Sequence, residues 1–247
     1  MKLQHTIFFV VISLFFSCTS DQKTKIAQKD KDLISYVNPF IGTGGHGHTY
    51  PGATMPYGMM QLSPDTRLDG WDGCSGYHYS DEYIYGFSHT HLSGTGVSDY
   101  GDVLLMPTNE VNFNNGSNGE KGYRAHFSHD NETAEAGYYK VHLDTTNIDV
   151  ELTVSKRSGI HKYTFPSSEN QVVMLDLVHR DKVLDAKIEK VSDTEIVGYR
   201  FSEAWASDQR LFYVIKTSHP FDDILQSPPK QGMPGARRSA VAAARRR

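Results

Sequence analysis

From residue 138 onward, apolar and polar side chains alternate with a period of two. Tyr139, Val141 and Leu143 fall on one side and Lys140 and His142 on the other; then Ile148, Val150, Leu152 and Val154 alternate with Asp149, Glu151, Thr153 and Ser155. Such alternation gives a strand one face for a core and one for water. The stretches GIHKYTF (159–165), QVVMLDLV (171–178), TEIVGYRF (194–201) and RLFYVIKT (210–217) are further strand candidates. Short polar turns, including Pro166-Ser167-Ser168 and Ser192-Asp193, separate them. No segment after the first twenty residues carries a convincing 3.6-residue apolar period, so the pattern predicts an all-β antiparallel sandwich.

Residues 37–106 break this pattern. Gly, Pro, Ser, Thr, His and Tyr crowd the region and its apolar residues are scattered. Loops of that length are uncommon unless they work, so these are expected to form a pocket. NFNNGSNGE (112–120) reads as an exposed turn.

At the start, one lysine precedes an apolar stretch from Ile7 to Phe16 that closes on Ser17-Cys18. It is too short to span a bilayer and has the layout of a cleaved export signal. A cysteine after a small residue there predicts lipidation at Cys18; the alternative is a plain secretory signal with an incidental cysteine. The expected organisation is an export signal (1–17), a polar tether (18–32), a sandwich domain (33–226) and an atypical Pro/Ala/Arg tail (227–247). The product is expected in the periplasm or at the cell surface, held to a membrane through the lipid alone. With Cys18 lipidated, Cys74 is the remaining thiol, and burial must stabilise the fold without an intrachain disulfide.

The chain has 247 residues and a net charge of −4, but QGMPGARRSAVAAARRR at its end holds five arginines and no acids, leaving −9 for the remainder. That balance excludes a basic nucleic-acid surface on the body. The abrupt change in residue usage makes the tail read as foreign to the sandwich, against the alternative of an Arg-rich binding arm.

Two His-x-His pairs, His46-Gly47-His48 and His89-Thr90-His91, stand in the loop-rich region. If extended, each pair puts both imidazoles on one face, as a transition metal needs. A zinc hydrolase would also want a carboxylate ligand and a barrel of alternating strands and helices. The helices are missing, and no metal ligand is expected in this chain. His46 and His48 can equally be loop histidines bonded to backbone. Trp71, Tyr77, His78, His89, His91 and Asp99 together offer rings and hydroxyl partners of the kind a pyranose takes.

The segments YVNPFIGTGGHGHTYPGATMPYGMMQLSPDT (36–66) and GWDGCSGYHYSDEYIYGFSHTHLSGTGVSDYGDVLLMPT (70–108) resemble the opening of glycoside hydrolase family 92, the exo-acting α-mannosidases. AGYYKVHL, VELTVSKRSGIHKYTFP and WASDQRLFYVI are similar to its later strands. The resemblance implies an N-terminal β-sandwich packed on a C-terminal (α/α)6 barrel, with a calcium-dependent, inverting site between them. Inversion uses one carboxylic acid on the leaving oxygen and one carboxylate on a water. In the family both, and most Ca2+ contacts, belong to the barrel, to which nothing here corresponds; no catalytic residue is therefore expected in this chain.

What the resemblance gives this domain is substrate binding by Trp71, Cys74, Tyr77, His78, His89, His91 and Asp99. Trp71 would stack on sugar in the leaving-group subsite, and His78, His89 and Asp99 would take hydroxyls. Cys74 would be small and partly buried, since inversion has no covalent intermediate. Arg67 would contact sugar or pair with Asp65 or Asp69, and Trp205 reads as core. The implied partners are mannose-containing glycans, with α-1,2-linked mannose of N-glycans as the substrate. The alternative is a catalytically silent glycan-binding sandwich.

Overall fold

The computed structural model describes residues 32–167, 170–228 and 240–246. The expected signal, Cys18 and nearly all of the tether lie outside them. The described residues from Ile34 onward form one unit. Its strands are β1 (Ala53–Thr54), β2 (Gln61–Asp65), β3 (Tyr83–Ile84), β4 (Gly86–Ser88), β5 (Leu104–Thr108), β6 (Ala125–Glu135), β7 (Tyr138–Leu143) and β8 (Ile148–Val154). They continue with β9 (Gly159–Thr164), β10 (Gln171–Asp176), β11 (Lys182–Ser192), β12 (Glu195–Glu203), β13 (Gln209–Lys216), β14 (Asp223–Gln226) and β15 (Val241–Arg246).

Among the described residues the strands make a five-stranded sheet, β3-β6-β7-β8-β9, a seven-stranded sheet, β1-β2-β4-β5-β10-β15-β14, and a three-stranded sheet, β11-β12-β13. Neighbouring strands run antiparallel throughout, as the alternation predicts. The seven-stranded sheet is the middle layer. Leu104, Met106, Val172 and Met174 point from it into a core shared with Tyr139, Val141, Leu143, Ile148, Val150 and Leu152 of the five-stranded sheet. The intervening Leu105 and Leu175 point the other way, against Val183, Ala186, Ile188 and Ile196 of the three-stranded sheet. Truncating Leu104, Met174 or Leu152 to alanine costs about 2–5 kcal/mol.

Two expectations change. The region 37–106 contains strands, β1 to β4 and the start of β5, which alternation could not reveal. All five residues of β5 are buried, because a middle-layer strand is covered on both faces. The C-terminal residues do not all stand outside the fold either. Residues 241–246 form β15, paired from Val241↔Asp176 to Arg246↔Gln171 with β10 and, on its other edge, with β14. Val241 and Ala243 enter the first core and Ala242 the second. Small side chains suit that crowded interior, so composition misled where period-two placement holds.

Candidate functional site

The long loops are tied to one another, residue by residue. The Gly94 amide donates to the His48 carbonyl at 2.7 Å and the Tyr79 amide to Thr43 at 2.9 Å. The Cys74 thiol donates to the Thr95 carbonyl at 2.6 Å. Arg180 donates to the Gly73 carbonyl and, at 3.1 Å, to Ser98 Oγ. These bonds satisfy backbone groups that a sheet would otherwise satisfy. Gly76 permits a close approach: at φ +83°, a Cβ there would lie 2.5 Å from Asp65 Oδ1.

Trp71 begins a short 3-10 turn, Trp71–Gly73, and its side chain is 63% exposed. The ring rests against Gly96, where a Cβ would come within 2.3 Å of it, and His48 meets it edge-on at 5.1 Å between centroids. The residue after Trp71 supplies a carboxylate to both members of the first histidine pair. His46 Nδ1 lies 2.7 Å and His48 Nε2 3.2 Å from Asp72 Oδ1. The hydrogen bond from His46, then that from His48 and their charges, hold the Asp72 carboxyl below its usual range. An open indole thus stands beside a histidine and carboxylate group at the protein surface.

The second pair has a different fate. His89 donates from Nδ1 to the Val103 carbonyl at 2.6 Å, so its Nε2 accepts, and it does so from His161 Nε2 at 3.0 Å. His161 Nδ1 in turn accepts from the Tyr163 hydroxyl at 2.8 Å. This fixes both imidazoles as neutral. Burial pushes His89 down to about 4, and burial followed by the neighbouring His89 pushes His161 well below its usual value. His91 is buried and faces Asp65 at 3.3 Å, with Arg180 3.5 Å from the same oxygen. Burial would raise the Asp65 carboxyl, but His91, His179 and Arg180 outweigh it and hold it at about 2.

Of the residues expected to meet sugar, Trp71 is open to solvent and the others are held by protein partners. Tyr77 is 1% exposed and donates to Glu132 at 2.9 Å. Cys74 is buried with its thiol pushed up by burial, the position of a packing residue. His78, half-buried, accepts at Nδ1 from the Ser80 amide at 3.2 Å and donates from Nε2 to Gly45 at 3.1 Å, bracing the neighbouring loop. Asp99 accepts from the Tyr100 and Ala206 amides, both at 3.0 Å. Arg67 pairs with Asp81, a partner outside the two expected. Trp205 is 73% exposed in the turn between β12 and β13, not core. The alternative that His46 and His48 bond to backbone is also corrected: their side-chain partner is Asp72.

A polar cleft of about 420 Å³ lies along Arg67, Asp69, Tyr85, His179, Arg180 and Asp181. Its two arginines are already neutralised, by Asp81 and Asp65. Among the described residues, the one group of three potential metal-binding side chains is His46, His48 and Asp72, with ligand atoms within 4.8 Å of one another. Two nitrogens and one carboxylate do not fit calcium, which takes six to eight oxygens.

Fold and loops together define an antiparallel β-sandwich domain with long loops bonded to one another. The chain belongs to glycosyl hydrolase family 92: residues 36–241 match that family's N-terminal domain. The chain is similar, 33% identical with a TM-score of 0.79, to an α-mannosidase of this family from Bacteroides thetaiotaomicron solved in complex with mannoimidazole. That match covers 87% of this chain and 30% of the other. An inverting mannosidase of the same family and organism shares the fold, at 24% identity and a TM-score of 0.70, covering 87% of this chain and 29% of its own. An uncharacterized secreted glycosidase of Arthroderma benhamiae is 30% identical over 178 residues, 68% of this chain and 23% of that protein. The chain therefore spans less than a third of the length of these relatives.

Proposed function

We propose that this chain is the substrate-facing sandwich of an exported exo-α-mannosidase that acts by inversion, with calcium, on α-1,2-linked mannose of N-glycans. The observation that carries this is the exposed Trp71 indole, backed by Gly96 and flanked by His46, His48 and Asp72. The indole stacks on the apolar face of a pyranose while the imidazole and carboxylate groups take its hydroxyls. Acids of this region are already committed: buried Asp65 to His91 and Arg180, buried Asp102 to Arg200 at 2.6 Å, and half-buried Asp81 to Arg67. An inverting pair needs two carboxyls roughly 6.5–9.5 Å apart around a water. In this reading that pair and the calcium ligands come from the remaining length of the enzyme.

The relative described as secreted supports export. Anchoring through Cys18 is part of the proposal and is tested by fatty-acid labelling of the wild type against Cys18→Ser. Among the described residues no helix is long and apolar enough to cross a membrane.

The decisive experiment is a calorimetric titration of the full chain with α-1,2-mannobiose. Weak, saturable binding is expected, lost in Trp71→Ala and retained in Trp205→Phe. Equal binding by Trp71→Ala would overturn the platform assignment. The chain alone should release no mannose, and calcium-dependent turnover by it would refute placing the catalytic pair elsewhere.

A further inference from the structure

We infer that His46, His48 and Asp72 form a binding site for a divalent transition-metal ion of the zinc type. The inference stands on these three side chains and survives failure of the sugar reading. Three potential ligand atoms from loops 24 and 26 positions apart in sequence converge, with both imidazoles directed at the same carboxylate oxygen. Zinc bound at about 2.0–2.1 Å to nitrogen and oxygen ligands holds tetrahedral neighbours about 3.3 Å apart. The His48–Asp72 separation of 3.2 Å already has that spacing. The His46–Asp72 separation of 2.7 Å must open slightly, and the His46 side chain, 80% exposed, is free to do so.

The two histidines divide the work. His48 is the fixed ligand: its side chain is 6% exposed, its ring abuts Trp71, and its carbonyl is held by the Gly94 amide. His46 is the entry side, closing over an ion arriving from solvent. Two imidazoles and one carboxylate form a mixed nitrogen and oxygen set suited to zinc and its first-row neighbours. Three protein ligands leave the fourth tetrahedral position to water or to a ligand hydroxyl.

The test is calorimetric titration of the tag-free full chain with Zn2+ at neutral pH, repeated with Ca2+. One equivalent of Zn2+ is expected, with no Ca2+ binding at matched concentration. His46→Gln and Asp72→Asn should each weaken Zn2+ binding at least about tenfold. Both positions reach the surface, and an unchanged circular dichroism spectrum and melting temperature verify that each variant folds. Co2+ substitution should give the intense visible absorption of a four-coordinate ion, lost in the same variants. Absence of stoichiometric Zn2+ binding, or equal binding by wild type and both folded variants, would overturn the site.

Discussion

The two His-x-His pairs share a sequence pattern and have opposite fates. His46 and His48 converge on one carboxylate at the surface, beside an open indole. His89 and His91 diverge: one joins a neutral chain running to Tyr163, while the other meets Asp65 and Arg180 inside. The difference is what surrounds them. The first pair lies in a glycine-rich loop with His46 in water. The second follows β4, a strand of the middle layer, and each of its rings is held by its own protein partners. A two-residue spacing sets only which way side chains start; burial decides what they do.

The comparison is sharpened most by removing one carboxylate from each pair. Asp65→Ala leaves His91 and Arg180 without their shared anion, and should cost about 3–5 kcal/mol in urea unfolding. A cost below 1 kcal/mol would show that water replaces the carboxylate there. Next comes pH. Because His89 titrates near 4 when folded against 6.5 as its ordinary value, the unfolded chain binds more protons between those values. Stability is full above about 6.5 and falls towards pH 4, by on the order of 3 kcal/mol from this group. Asp65 extends the loss from 3.8 down to about 2. Melting temperature measured across pH 7 to 4 tests this, and a flat profile would contradict a neutral, buried His89.

Gly96→Ala should have a smaller effect, about 1 kcal/mol. Its Cβ displaces the Trp71 ring, so a change in indole emission and weaker mannobiose binding should exceed any loss of melting temperature. Asp72→Asn should be smallest, with the unfolding midpoint unchanged in the same assay. If Asp72→Asn destabilised the fold as much as Asp65→Ala, the surface pair would be structural too.

Strands β7, β8, β9, β10, β12 and β13 were legible because alternation or a bounded apolar run marks them. Strand β5 was hidden by burial on both faces, and β15 by a composition that resembles no strand. At the site, the exposed aromatic character of Trp71 was legible. The shared role of Asp72 was not, since no periodicity links it to His46 across 26 positions. The resemblance placed Tyr77 and Asp99 among the sugar contacts, and their protein partners were not legible. Their partners, Glu132 and the Ala206 amide, lie far along the chain.

The place of β15 also governs the order of biogenesis. During synthesis β10 can dock on β5 early, but its other edge stays without a neighbour until Val241–Arg246 have been made. For that interval a nascent chain presents an open strand edge flanked by apolar surface, a template for pairing with another copy. Translation speed and chaperone occupancy across the stretch between Asp176 and Val241 therefore bear directly on yield: a ribosome that pauses there prolongs the aggregation-prone state, and one that reaches Val241 promptly ends it.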